Sequence, residues 1–373
     1  MLAQPPLWLT LVAFVCALGP LVFFHELGHY LVARWFGVGA ETFSIGFGRE
    51  ILGWTDKRGT RWKVGWLPLG GYVKFVGDMN PASVQSASDV PEELRAASFQ
   101  MKPLWQRFLI VLAGPMANFL LAILIFAALF SVVGTPISNF VGQITKGSAA
   151  ETAGLRPGDR ILSVAGRTTP AYADIYATVS MRPGQTVDLV YLRGDSTRQA
   201  RVKLGVEVMK DGSNRLTRGK LGVGPSIGHR ERVGPAKAVV MATQTTARMV
   251  RSSVDALVQL VTGRLSPKNL GGPMKIAQVA GEGASYGLVA FVGFLAFLSI
   301  NLGFINLLPV PMLDGGHLFF YAIEAVRRRP VSEQALEWAF RGGLAAILAL
   351  LLFTTANDLG SFGLWERLGR LIG

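Results

Sequence analysis

The chain has 373 residues, of which 50% are hydrophobic and only 16% are charged, and its mean hydropathy is +0.37. Soluble domains carry about 25% charged residues, so this composition excludes an ordinary soluble protein, and the single cysteine, Cys16, excludes a disulfide scaffold. The formal net charge of +13 in so apolar a chain indicates basic loops held against anionic lipid. Membrane lipid, and no nucleic acid, is therefore the expected partner.

Four segments are apolar enough to cross a membrane. Residues 1–34 carry no charge up to residue 24, and residues 109–133 and 286–313 carry none at all. Residues 342–357 form a shorter run, which spans the hydrocarbon only if residues 336–340 extend it. Since a spanning helix needs about 20 residues, the pattern predicts a polytopic α-helical membrane protein with four transmembrane helices.

The distribution of basic residues predicts the orientation of these helices. The short loop between the first two spans carries basic residues from Arg49 to Lys102, and the loop between the last two carries three arginines at 327–329. Such loops stay on the cytoplasmic side of a membrane. The N-terminus, the long segment at about 134–285 and the C-terminus are therefore predicted to lie on the outer side.

The strongest local signal is His25-Glu-Leu-Gly-His29, which continues the first apolar run. On a helix, residues four apart share a face, so both imidazoles can bind one metal ion, and Glu26 beside them can act as a general base. This is the zinc hydrolase arrangement. The alternative, two histidines capping a helix end, leaves the cost of ionisable residues in an apolar span unexplained.

A catalytic zinc site usually has three protein ligands, so a third must come from elsewhere in the chain. Asp314 follows the third apolar run, where an unpaired carboxylate would be costly, and Pro309 and Pro311 before it break the helix. The two remaining histidines are His229 and His317. We favour Asp314 as the third ligand, with His317 as a competitor, and a helix cap as the alternative role of Asp314.

The sequence resembles the site-2 proteases, which are intramembrane zinc metalloproteases, and within them the bacterial regulator-of-sigma-E branch, which acts in stress response. The matching blocks are residues 25–29, 46–48, 68–75, 77–81, 107–118, 270–273 and 306–316. The resemblance implies that His25, His29 and Asp314 bind Zn²⁺ and that Glu26 is the general base. It also implies that Asn306 holds the substrate backbone, for which the alternative is a hydrogen bond between helices.

A short strand is predicted after the glycine pair Gly70-Gly71, in the loop between the first two predicted spans. In the resembling family this region forms a membrane-associated β element beside the active site, and its exposed edge would offer hydrogen bonds to an unwound substrate. The alternative is an amphipathic hairpin on lipid headgroups. The residues assigned to substrate binding are Gly70, Gly71, Tyr72, Val73 and Lys74.

The outer segment resembles a bacterial PDZ domain at residues 137–205, with a short helix, a strand after Pro157-Gly-Asp159 and a hairpin around Gly194-Asp195. Such domains bind peptide C-termini by strand addition, and the alternative is an obstructive domain without a ligand. Residues 206–285 are predicted to be a linker, with a short strand at 220–224, followed by an interfacial amphipathic helix.

The expected organisation has four parts. Residues 1–136 hold the first two transmembrane helices and a cytoplasmic β loop, 137–205 one inserted extracytoplasmic PDZ-like α+β domain, 206–285 the linker and interfacial helix, and 286–373 the last two transmembrane helices.

The expected function is that of a zinc-dependent intramembrane endopeptidase in a bacterial inner membrane, with its PDZ-like domain and both termini in the periplasm. By resemblance, its substrates are single-span membrane proteins already trimmed outside, such as a membrane-anchored anti-sigma factor. Clearance of remnant signal peptides and a non-catalytic PDZ-bearing scaffold are the alternatives.

Overall fold

The computed structural model describes residues 5–77, 92–136, 139–170, 172–211, 214–226, 230–263 and 271–361. The chain divides into two compact units. The inserted unit is Leu129–Pro235, and the helical unit comprises Met1–Ala128 and Ala236–Gly373.

The elements follow one another in chain order with mostly short connections. They are α1 (Leu7–Trp35), β1 (Ala40–Thr55), β2 (Arg61–Phe75), a 3₁₀ helix at Glu92–Ala97, α2 (Leu104–Val132), β3 (Thr135–Pro136), β4 (Val141–Ile144), α3 (Ala149–Thr152), β5 (Arg160–Val164), β6 (Arg167–Thr168), α4 (Tyr172–Ser180), β7 (Thr186–Arg193), β8 (Ser196–Lys203), β9 (Gly205–Asp211), β10 (Asn214–Lys220), β11 (Val223–Pro225), β12 (Arg230–Glu231), α5 (Pro235–Val261), α6 (Pro273–Ser285), α7 (Leu288–Asn306), α8 (Asp314–Arg327) and α9 (Glu333–Ser361).

Within the described residues, four helices are long and apolar enough to cross a membrane, namely α1, α2, α7 and α9. Their positions agree with the four predicted segments, with one correction. The third apolar run continues to residue 313, but α7 ends at Asn306 because Pro309 and Pro311 cannot continue a helix. Asp314 is therefore the first residue of a separate helix, α8, and does not belong to the third span.

The loop after α1 is a sheet of two long antiparallel strands, where the sequence predicted only a short strand after Gly71. Phe43 in β1 pairs with Val73 on one side and with Trp62 on the other, so β2 folds back and flanks β1 twice. Residues 71–75 consequently form an outer segment of the sheet, and no described strand pairs with their other edge. The glycines Gly46 and Gly48, both with positive φ, interrupt the alternation that would have identified β1.

A buried apolar cluster fastens this sheet to α1 and α2. Phe43, which is 1% exposed, packs edge-on against Tyr30 of α1 and stacks on Trp62 of β2. Ile110 of α2 closes the cluster from another side. These side chains come from both helices and both strands. Their packing therefore fixes the position of residues 71–75 along α1.

The inserted unit is built around a four-stranded antiparallel sheet in the order β6-β5-β7-β8, covered by α3 and α4. The predicted hairpin is confirmed, since Arg193 pairs with Ser196 across the turn at Gly194-Asp195. The predicted boundary at residue 205 is corrected. The strand β11 pairs with β4, and β12 pairs with β3, so residues 206–231 belong to this unit and are not a linker.

A buried carboxylate stabilises the turn before β5. Asp159 is 2% exposed and accepts hydrogen bonds from the backbone N–H of Arg156 and from the guanidinium of Arg193, at 2.7 and 2.8 Å. Burial alone would raise the pKa of Asp159, but these donors hold it below its ordinary value. The group therefore stabilises the unit above its ordinary pKa, and this contribution is lost as the pH falls through the lowered one.

Candidate active site and metal centre

The second half of α1 brings three ionisable side chains together. His25, Glu26 and His29 are each at most 9% exposed, although α1 is apolar enough to span a membrane. The two imidazoles share a helix face, and their Nε2 atoms lie 3.4 Å apart. Buried ionisable groups cost free energy unless they are paired or bind a metal, so this cluster requires a partner.

Asp314 provides the third corner of the cluster. Its Oδ2 lies 3.1 Å from Nε2 of His25 and 3.5 Å from Nε2 of His29. Zinc–ligand bonds of about 2.0–2.2 Å place the corners of a tetrahedron about 3.3–3.6 Å apart, close to the separations of 3.1, 3.4 and 3.5 Å in this cluster. This Oδ2 is buried and, among the described residues, has no partner besides the two imidazoles. The donor set therefore fits one zinc ion.

His317 is not part of this cluster. His317 follows Asp314 on the next turn of α8 and lines the same cavity, but its ring packs 5.0 Å from the ring of Phe340. Within the described residues, the metal-binding group contains His25, His29 and Asp314 without it. His229 lies outside the described residues.

The short connection between α7 and α8 places Asp314 next to the histidines of α1. A Cβ on Gly315 would overlap the carbonyl of Leu307, and one on Gly316 would lie 2.5 Å from the carbonyl oxygen of Val310. Met312 holds a φ of +82°, an arrangement that costs about 1–3 kcal/mol and that the surrounding packing must impose. The loop can therefore take this path only with glycine at positions 315 and 316.

The helix α2 supports both imidazoles from behind. Nδ1 of His29 donates to the carbonyl oxygen of Ile110 at 2.8 Å, and a Cβ on Gly114 would overlap the ring of His29. The side-chain amide of Asn118 lies 3.0 Å from Nδ1 of His25. The sequence assigned no role to these three residues, because nothing local marks which face of α2 meets α1.

Residues 71–75 of β2 pass directly over Glu26. The backbone of Val73 lies beside the Glu26 side chain. A Cβ on Gly71 would lie 2.6 Å from a methyl group of Val22 and 3.1 Å from Cγ of Glu26, so only glycine allows this approach. The carboxylate that would accept the proton thus lies between the histidines and an open strand edge.

One cavity of about 460 Å³ is lined both by the three candidate metal ligands and by residues of this strand. Asn306, at the end of α7, lines it together with Leu302 and Met312. Of the residues assigned to substrate binding, Gly70, Gly71, Tyr72 and Val73 also line the cavity. The side chain of Lys74 instead forms an ion pair with Glu41 at 2.7 Å, on the other face of the strand.

Comparison with known proteins identifies the class that this site and these helices define. The sequence model of peptidase family M50 matches residues 13–350, so the chain belongs to this family, the membrane-embedded site-2 proteases. The predicted family, the enzyme class of metalloendopeptidase and the dependence on zinc are thereby confirmed.

Its relatives match along nearly their whole length. Atu1380 of Agrobacterium fabrum, named as a candidate zinc metalloprotease, is 43% identical over 361 residues, 94% of this chain and 96% of the relative. Metalloprotease MmpA of Caulobacter vibrioides is 38% identical, covering 97% of this chain and 98% of its own. The PDZ domain of the SdrC-like protein from Listeria monocytogenes is similar to 24% of this chain and covers 90% of that domain, with 23% identity and a TM-score of 0.20.

The separate roles of Glu26 and Asp314 lead to different expected losses. Glu26→Gln removes the proton acceptor and leaves the three candidate ligands, so we expect full zinc content and cleavage reduced by about 10²–10⁴-fold. Asp314→Asn weakens a ligand, so we expect both zinc content and cleavage to fall. Metal analysis of the purified full-length protein and a cleavage assay give the two readouts.

The matched control is His317→Ala, which changes a histidine lining the same cavity and should leave zinc bound. Full zinc content in Asp314→Asn together with loss of zinc in His317→Ala would show that the third ligand has been assigned to the wrong residue.

Proposed function

We propose that this metalloendopeptidase cleaves peptide bonds within the transmembrane segments of single-span membrane proteins. The observation that supports this most strongly is the position of His25, Glu26 and His29 on α1, a helix of 29 residues that is apolar enough to cross a membrane. A substrate helix lying beside α1 could present its peptide bonds to these groups without leaving the membrane.

The chemistry follows from the donors that surround the cavity. His25, His29 and Asp314 would hold zinc, which when bound supplies a Lewis acid that polarises a carbonyl and acidifies water. The Glu26 carboxylate accepts the proton from the attacking water and afterwards delivers it to the leaving amine. Asn306 lines the same cavity and can hold the substrate backbone by its amide.

A transmembrane helix must unwind before its peptide bonds can be attacked, because they are buried in its own hydrogen bonds. Each backbone group left unpaired in hydrocarbon costs several kcal/mol. The open edge of residues 70–74 in β2 offers replacement hydrogen bonds to the extended chain, next to Glu26. Strand addition here would bring the scissile bond between the carboxylate and the metal ligands.

Gly71→Ala tests this arrangement, because its added Cβ overlaps Val22 and Ser44 and must push β2 away from Glu26. We expect cleavage of a single-span substrate in proteoliposomes to fall by about 100-fold, the effect of a displacement of about 1 Å at a reacting group. Zinc content should be unchanged.

Gly293→Ala is the control, since a Cβ at this helical glycine meets nothing within 4 Å. Wild-type cleavage in Gly71→Ala would rule out a role of the strand edge in catalysis.

Among substrates, we favour a membrane-anchored anti-sigma factor that another protease has already trimmed. Remnant signal peptides would suit the same cavity and are the second candidate. Membrane-protein fragments that accumulate in cells carrying Glu26→Gln would identify which class is consumed. The alternative of a non-catalytic scaffold does not agree with membership of a peptidase family.

We further propose that the chain lies in a bacterial inner membrane with the β1–β2 turn and the loop before α9 in the cytoplasm. In a Cys16→Ser background, the exposed positions Lys57→Cys and Ser332→Cys should be protected from an impermeant thiol reagent in cells with a permeabilised outer membrane. Asp195→Cys, in the exposed turn of the inserted unit, should react. Labelling at Ser332→Cys would overturn the orientation of the last two helices.

For the inserted unit we propose a PDZ-like fold that excludes substrates with bulky ectodomains. A groove between α4 and β11, of about 200 Å³, favours the alternative, the binding of a peptide C-terminus. In this structure the Tyr172 hydroxyl donates to the Val223 carbonyl oxygen at 2.7 Å, on the strand that a peptide would extend. A peptide adding to β11 would therefore have to displace this hydroxyl, and we favour exclusion as the main role.

Two variants separate these roles. Pro136 pairs with Arg230, so a short flexible linker can replace residues 137–229. Exclusion predicts that this deletion permits cleavage of untrimmed substrate and leaves trimmed substrate unaffected. Groove binding predicts slower cleavage of trimmed substrate, and faster cleavage in Tyr172→Phe, which frees the Val223 carbonyl. Continued resistance of untrimmed substrate in the deletion variant would defeat exclusion.

A further inference from the structure

Asn118 has a buried side chain that the proposed chemistry does not use. It lies on α2, is 0% exposed, and places its amide Nδ2 3.0 Å from Nδ1 of His25. Its Oδ1 is buried and has no hydrogen-bond partner among the described residues. An unpaired buried carbonyl oxygen lowers the stability of the fold, so its presence beside a candidate metal ligand calls for an explanation.

The neighbouring imidazole of His25 explains it, because its Nδ1 needs a hydrogen-bond acceptor when a metal is bound. His25 faces Asp314 through Nε2, so a metal ion held by both residues takes the Nε2 lone pair. The neutral ring then carries its proton on Nδ1, which becomes a donor and needs an acceptor. For His29 that acceptor is the Ile110 carbonyl oxygen. For His25, the side-chain amide of Asn118 lies within hydrogen-bond distance of Nδ1, and its Oδ1, unpaired among the described residues, can serve as that acceptor.

We propose that Asn118 is a positioning residue for His25, whose amide reverses when the metal binds. In the arrangement seen here, Nδ2 of Asn118 donates to Nδ1 of His25, and Nε2–H of His25 can donate to Asp314. With zinc bound, rotation of the amide by about 180° presents Oδ1 to Nδ1–H of His25. The reversal exchanges two atoms of nearly equal size and so needs no other movement.

Contacts with α7 hold the main chain and Cβ of Asn118. Ser299 on α7 donates to the Asn118 backbone carbonyl oxygen at 2.7 Å. Gly303, one turn further along α7, brings that helix so close that an added Cβ would lie 3.3 Å from Cβ of Asn118. The main chain and Cβ of Asn118 are therefore held in place, and the proposed reversal requires only a rotation about the bond from Cβ to the amide.

This inference rests on the zinc ligands proposed above, and its test is therefore the affinity for zinc rather than cleavage. Full-length protein in detergent would be titrated with Zn²⁺ against a competing chelator. Asn118→Leu keeps the size and removes the acceptor, so we expect affinity to fall about 10–100-fold. Asn118→Asp keeps an acceptor and should bind within about threefold of wild type, a difference smaller than the loss of such a partner.

Asn301→Leu is the matched control, because it makes the same change on α7, where the side-chain amide of Asn301 bonds to Ser253 and to the carbonyl oxygen of Phe297 and not to His25, and it should leave zinc affinity unchanged. Equal affinity in Asn118→Leu and wild type would overturn the proposal, and so would a loss in Asn118→Asp as large as that in Asn118→Leu. His25→Ala tests the proposed ligand set independently of Asn118. If it binds zinc like wild type, the proposed ligand set itself is wrong.

A spectroscopic test requires no variant to fold. The chain has only four histidines, so ¹⁵N-histidine spectra of the full-length protein contain few signals. On addition of Zn²⁺, His25 should change from the Nε2–H to the Nδ1–H tautomer, while His29 keeps its Nδ1–H throughout. A His25 that carries its proton on Nδ1 before and after zinc would contradict the reversal.

Discussion

The structure depends on one costly arrangement, which is two imidazoles and a carboxylate buried within about 3.5 Å of one another in an apolar helical unit. Taking such groups out of water costs several kcal/mol each unless a partner compensates. Within the part of the chain that the structure describes, the Asp314 Oδ2 has no partner besides the two histidines. A divalent cation satisfies all three donors at once, and zinc dependence is a property of the family to which the chain belongs.

Bringing these side chains together requires backbones to approach closely, and small residues make this possible. A Cβ on Gly28 would overlap Ala113 of α2, so α1 and α2 are in direct contact at the level of the histidines. Gly343 plays the same part where α9 meets Pro311. Within a membrane, helix contacts depend on such close packing and on hydrogen bonds between helices, because lipid provides no hydrophobic drive. The geometry of the site therefore depends on the close packing of the helices.

The sequence predicted the four long apolar helices and pointed to the candidate metal ligands, because ionisable residues and prolines stand out in apolar runs. His25, His29 and Asp314 could be proposed without coordinates for that reason. The residues that support them could not, since Ile110 and Asn118 meet the histidines across 81 and 93 residues of chain. The end of the inserted unit was missed for a similar reason. Its last strands pair with β3 and β4 at the start of the unit, and local patterns carry no information about such distant partners.

X-ray absorption at the zinc edge of the full-length protein tests the central claim most directly, because it counts the ligands on the metal. The account predicts two imidazole ligands and oxygen donors at about 2.0–2.2 Å. It also predicts that His29→Ala leaves one imidazole on any zinc that remains, while His317→Ala leaves two. Three imidazoles in the wild-type protein, or a sulfur ligand at about 2.3 Å, would contradict it.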